Sequence, residues 1–68
     1  MGSKQQIGKN LKKAREKTGL TQREVAGKVG IHANYYARIE RGEIDGSLDT
    51  LKTIFKILNV KSSDIFPF

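Results

Sequence analysis

The sequence predicts an all-α fold, a compact domain of five short helices. Apolar residues recur at helical spacing, and no stretch alternates as a strand would. Helix-start and helix-stop residues punctuate the chain at short intervals. The chain has 68 residues, enough for one domain at most. A chain of about 60 residues buries only roughly 60% of its unfolded surface, so short helices must share one core.

The first helix is expected from about Gln5 to Lys17. Ile7, Leu11 and Ala14 form its apolar stripe. Thr18-Gly19 stops it, with Gly19 as a left-handed cap. Residues 1–4 before it are expected to be disordered or, at Met1-Gly2-Ser3, a cloning remnant, which leaves 5–68 as the single domain. Thr21 starts the second helix, and "TQRE" is a capping box. Val25, Ala26 and Val29 give this helix its apolar side, and Gly30 ends it. Gly27 lies inside and costs about 1 kcal/mol relative to Ala, whether it permits close packing or is only a weak spot.

The third helix is expected from about Ala33 to Glu40, ended by Gly42. His32 holds its N-cap position, where Ser or Thr would serve better. So short a connection, with Gly30 at the corner, makes the second and third helices cross steeply, as in a helix-turn-helix. Ser47 caps a fourth helix reaching about Leu58, with Leu48, Leu51, Ile54, Phe55 and Leu58 as the floor of the core. Ser62 is expected to cap a last turn, "SSDIF".

Composition narrows the function. There is no cysteine, so neither a disulfide framework nor a thiolate metal site is available, and a reducing cytoplasm fits. No apolar run approaches the roughly 20 residues that span a bilayer, and "MGSKQQIG" lacks the apolar centre of a signal peptide. His32 is the one histidine, too little for a metal site, and no cofactor is expected. Gly8-Lys9 and Gly27-Lys28 are followed by Asn and Val, so neither is a phosphate-binding loop. No acids or nucleophiles pair at useful spacing, and the chain is not expected to be an enzyme.

The net charge is +6, and it is unevenly spread. Residues 1–41 carry ten Lys/Arg against three Glu, or +7; residues 42–68 carry three Lys against four acids, or −1. An excess on one half suits a polyanion such as nucleic acid or an anionic membrane surface, and it equally suits plain solubility. The membrane alternative is weak, because the basic first helix has only a narrow apolar stripe.

The stretch "GIHANYYARIERG" sharpens this. Tyr36 and Ile39 should face the core, while Asn34, Arg38 and Arg41 lie at i, i+4, i+7 on another face. Ala33 and Ala37 sit beside that stripe and leave the helix slim on its outer side. Such a helix fits a groove about 12 Å wide, the major groove of B-DNA. Asn can pair with adenine, Arg with guanine, and Ala can meet a thymine methyl. The same residues also read as ordinary solvated polar positions. Arg15, beside Ala14, and Glu40, beside Ile39, flank apolar stripes on different helices and are expected to form a partly buried ion pair. That pair would fix the angle of the third helix.

Taken together, "LTQREVAGKVGIHANYYARIERGE" resembles the phage-repressor and Cro-like (XRE) helix-turn-helix family. The marks are Gln22, Ala26, Gly30, Tyr36, Ile39 and the ending "IERG", and "SLDTLKTIFKILNV" is similar to the family's fourth helix. The resemblance covers about residues 5–66. It implies a lambda-repressor-like, five-helix fold that binds double-stranded operator DNA, usually as a homodimer. Carried over residue by residue, it implies base-edge contacts for Ala33, Asn34 and Arg38. It implies backbone contacts for Gln22, Tyr35 and Arg41, with His32 at the groove entrance and Arg23 a weaker candidate. Arg23 and Lys28 read as well as solvated charges. Arg15 and Glu40 match the family's buried pair.

Three features depart from the family. Gly46 stands where Pro is common before the fourth helix, and Phe55 replaces a small residue. The loop "EIDG" is acidic, with Glu43 and Asp45, where some relatives place basic residues against DNA. Phe55 then either fills a larger core or, with Ile65, Phe66 and Phe68 of the "IFPF" end, lies in a dimer interface. The expectation is a sequence-specific DNA-binding regulator in the cytoplasm of a prokaryotic cell or a phage-infected host. The alternative is an antitoxin or interaction module that keeps the frame and takes a protein as its main partner.

Overall fold

The computed structural model describes residues 3–68. Five α-helices follow in order: α1 Ser3–Thr18, α2 Gln22–Val29, α3 Ala33–Glu40, α4 Leu48–Leu58 and α5 Ser62–Ile65. α1 begins at Ser3, two residues before the expected Gln5. Met1 and Gly2 lie outside the described residues.

The helix ends show why the boundaries fall where they do. Thr21 Oγ1 accepts from Glu24 N–H at 3.0 Å, and Thr21 N–H donates to Glu24 Oε1 at 2.8 Å, closing the capping box of α2. Gly30, at φ +90°, ends α2 in the left-handed conformation that favours glycine. Ser47 caps α4 through its hydroxyl, which accepts from Thr50 N–H at 3.1 Å. His32 caps α3 without any side-chain hydrogen bond. Asn59 closes α4 at φ +57°, one of the few non-glycine types that tolerates that region. The last turn departs from expectation. Its N-cap is Lys61, not Ser62, because Asp64 Oδ2 reaches back to accept from Lys61 N–H at 2.9 Å.

One core runs through all five helices: Leu11, Val25, Ala26, Tyr36, Ile39, Leu51, Ile54, Phe55, Leu58 and Ile65. One expectation about it is corrected. Leu48 is 60% exposed, so the floor of the core starts at Leu51. Of the two alternatives for Phe55 the structure shows core filling, with Phe55 and Ile65 both buried within one chain. Phe66 is half-buried, with its ring edge-on to Phe55 at a centroid separation of 5.6 Å. Only Phe68 of the four stands out in solvent, 87% exposed and stacked on Phe66.

The tightest approach lies between α1 and α3. A Cβ at Gly8 would lie 2.6 Å from the carbonyl oxygen of Ile39. Glycine there lets the backbone of α1 rest on the C-terminal turn of α3. Gly27 is the opposite case, since a Cβ there would meet nothing within 4 Å. Among the described residues no helix is long and apolar enough to cross a membrane.

Candidate nucleic-acid interface

The short α3 has two unlike sides. Its inner side buries Tyr36, Ala37, Ile39 and Glu40. Its outer side exposes Asn34 and Arg38, with His32 exposed just before it and Arg41 just after. Ala33 and Tyr35 are half-buried at its first turn. Ala37 is expected beside the outer stripe; the structure corrects this and buries it on the inner side of α3. The slimness of the outer side therefore rests on Ala33 alone.

What holds α3 is a polar node beneath it. Arg15 of α1 donates through Nε to Glu40 Oε2 at 2.7 Å and through Nη2 to Oε1 at 3.2 Å. Its Nη1 donates to the Leu20 carbonyl at 2.9 Å, tying the node to the turn before α2. Gln22 adds a third helix, with Nε2 donating to Glu40 Oε1 at 2.9 Å. The Glu40 side chain is only 1% exposed and that of Arg15 13%. Burial pushes the Glu40 carboxyl up, but the polar groups of Arg15, Tyr36 and Gln22 outweigh it and hold the carboxyl below the usual carboxylate range. The Glu40 hydrogen bond raises the Arg15 guanidinium further still. Burial, then Glu40, pushes the Tyr36 hydroxyl well above its ordinary value. That hydroxyl is buried without a completed hydrogen bond.

Gln22 sits at the N-terminus of α2 and is half-buried, with one amide N–H committed to Glu40. Arg23 and Lys28 are exposed on α2. The structure thus brings Gln22, Arg15 and Glu40 together under α3. It leaves Asn34, Arg38 and Arg41 outside, and it sets Arg23 on the neighbouring helix.

Sequence reasoning missed two residues. Gly8 was weighed only as half of a Gly-Lys pair, yet it seats α1 on α3. Glu43 was read as an unfavourable charge, yet Oε1 accepts from Arg38 Nε at 3.2 Å and Oε2 from Arg41 Nε at 2.7 Å. Those hydrogen bonds hold the Glu43 carboxyl below its ordinary range, Arg41 contributing most. The available signal was spacing: Glu43 follows the helix-ending Gly42 and so lies back over the last turn of α3.

Residues 11–65 match the family described as helix-turn-helix. The chain is 41% identical over 56 residues to the HTH-type transcriptional regulator ImmR of Bacillus subtilis (strain 168), across 82% of this chain and 44% of ImmR. It therefore spans less than half the length of that relative. Control protein C.MunI of a Mycoplasma species is 38% identical over 61 residues, across 88% of this chain and 82% of its own. Among solved structures, the clp gene regulator ClgR from Corynebacterium glutamicum superposes with a TM-score of 0.87 at 26% identity, covering 91% of this chain and 66% of that one.

Proposed function

The chain belongs to the helix-turn-helix family, and on that premise we propose that it is a sequence-specific, double-stranded DNA-binding transcriptional regulator. In this reading α3 lies in the major groove. Asn34 and Arg38 read base edges, with Ala33 beside them, while Gln22, Arg23, His32, Tyr35 and Arg41 meet the backbone. The observation that carries it is the division of α3: its inner side is locked by core and ion pair, and Asn34 and Arg38 stand free of the core on the outer side. A rigid helix that presents Asn and Arg is what direct readout requires. Relatives named as a transcriptional regulator and a control protein support the regulatory role.

The working unit is a homodimer on a near-palindromic operator, with half-sites about 34 Å apart. One module of this size covers few base pairs, and a symmetric pair doubles the contacts. Among the described residues, exposed Phe68 and Leu48 are large apolar side chains available for that contact. The setting is the cytoplasm of a prokaryotic cell or a phage-infected host.

Selection from a random double-stranded DNA pool at about 150 mM salt tests this reading, because bare charge attraction is suppressed there. The expected product is a near-palindrome with half-sites about 10 base pairs apart. A pool with no enriched site would overturn sequence-specific binding. A monomer by sedimentation, both alone and on the selected site, would overturn the dimer.

A further inference from the structure

Glu43 is placed by the main chain. Gly42 adopts φ +74° at the end of α3. Gly42 N–H donates to the Ile39 carbonyl and Glu43 N–H to the Arg38 carbonyl, both at 3.0 Å. That pairing is a Schellman motif, and it folds the chain back over the helix end. Gln5 Nε2 of α1 holds the Gly42 carbonyl at 3.2 Å, and a Cβ at Gly42 would lie 2.6 Å from Gln5 Cα. Glu43 therefore stands on a backbone fastened to two helices.

From that platform one carboxylate spans two arginines, and both bonds engage Nε–H. A guanidinium carries five N–H donors in a planar fork. With Nε engaged, the terminal Nη1 and Nη2 edge of Arg38 keeps its donors for another acceptor. That edge fits guanine O6 and N7. The side chains of Arg38, Arg41 and Glu43 are 52%, 56% and 46% exposed.

We propose that Glu43 is a specificity-determining positioning residue: its carboxylate fixes the guanidinium plane of Arg38, aims the terminal N–H pair at a base edge, and offsets the attraction of Arg38 and Arg41 for phosphate. The inference rests on α3 lying in the major groove. In open water such exposed pairs contribute little. In the groove, water is displaced and the attraction between carboxylate and guanidinium strengthens as the local dielectric falls. An arginine already held in one rotamer loses less freedom on docking. A carboxylate beside it also disfavours settling on a phosphate, which is discrimination against the wrong contact.

The test begins with the operator selected by the unaltered protein, then measures base preference at every position for Arg38→Ala, Glu43→Gln, Glu43→Asp and the double variant Arg38→Ala/Glu43→Gln. Glu43→Gln should relax preference about tenfold at the same position that Arg38→Ala relaxes, within the range of one lost bidentate contact. The double variant should relax that position no further than Arg38→Ala does. Glu43→Gln should also bind unrelated DNA more tightly, with a salt slope steeper by about one charge. Glu43→Asp keeps the charge but shortens the reach, so it should relax the same position without tightening nonspecific binding. All variants should unfold at the temperature of the unaltered chain, since Glu43 lies outside the core.

Tighter binding to every sequence with preference intact would reduce Glu43 to a general electrostatic brake and overturn the inference. Relaxed preference at positions that Arg38→Ala leaves alone would overturn it as well. If the unaltered protein enriches no site at all, the operator reading fails first and takes this inference with it.

Discussion

Two arginine–carboxylate clusters flank α3. Arg15 and Glu40 meet at 2.7 Å beneath it, and Arg41 and Glu43 meet at 2.7 Å at its end. Geometry does not separate them; burial does. Glu40 is 1% exposed, while Glu43 is 46% exposed. Beneath the helix Glu40 is shut off from water and Arg15 largely so, and losing one partner leaves the other's charge poorly solvated. At the helix end, water solvates whichever partner is left. The buried cluster therefore orients the helix, and the exposed one is free to serve what the helix touches.

The largest expected effect tests the buried half. Glu40→Ala should cost about 3–5 kcal/mol in urea unfolding, because Arg15 is left uncompensated. Glu43→Ala in the same assay should leave the midpoint unchanged. Equal losses for the two would erase the distinction between the buried and the exposed cluster.

Next comes the seat on which the buried cluster depends. Gly8→Ala gains about 1 kcal/mol of helix propensity, but it drives a methyl group into the backbone of α3. Overpacking of that kind costs about 1–3 kcal/mol, and against backbone the upper end is expected, leaving a net loss. Gly27→Ala meets no neighbour and should raise stability by up to about 1 kcal/mol. Thermal melts that move both variants in the same direction would refute the close approach of α1 to α3.

Arg38→Ala sharpens the exposed half. Stability should hold, while binding to the selected operator falls by about 1–3 kcal/mol at one base position. A loss equal on all sequences would remove Arg38 from base reading. Gln22 sits between the halves, and Gln22→Ala should weaken binding evenly across sequences while also loosening Glu40.

The smallest effect is in acid. The Glu40 carboxyl loses its proton at lower pH when folded than when unfolded, where about 4.3 is usual. Between those values the unfolded state binds more protons. Stability from this group is therefore full above the ordinary carboxylate range and is lost as pH falls through the folded value. In Glu40→Gln that part of the acid dependence should vanish; a profile identical to the unaltered chain would place the titrating group elsewhere.

Much of this was legible in the residues. Capping boxes and glycine stops act locally, so Thr21, Gly30 and Ser47 marked their helices. The Arg15–Glu40 pair was legible because two charges beside apolar stripes have few places to go. What failed depended on how far neighbouring helices reach. Leu48 fits the α4 stripe by spacing, but it is the first residue of that helix, beyond the edge of what the others cover. Ala37 lies inside because α3 is covered on more of its circumference than a narrow stripe implies. Ser62 lost the N-cap position to Lys61, because the Asp64 carboxylate accepts from Lys61 N–H and so starts the turn one residue earlier. Glu43 was misread because its sign was weighed against DNA, not against the arginines folded back beside it.

The tether between Glu43 and Arg38 has a consequence for how such a domain could be given a new address. Asn34 is exposed at the first turn of α3, at the opposite end of the helix from Glu43, so on the proposed reading it can be exchanged as a single letter. Arg38 cannot. A new side chain at 38 inherits the Glu43 carboxylate, which Arg41 still holds at 2.7 Å, and an acidic newcomer would meet that carboxylate with a like charge. If Arg38 reads a base as proposed, positions 38 and 43 form a two-letter word, and retargeting this domain means rewriting both letters at once.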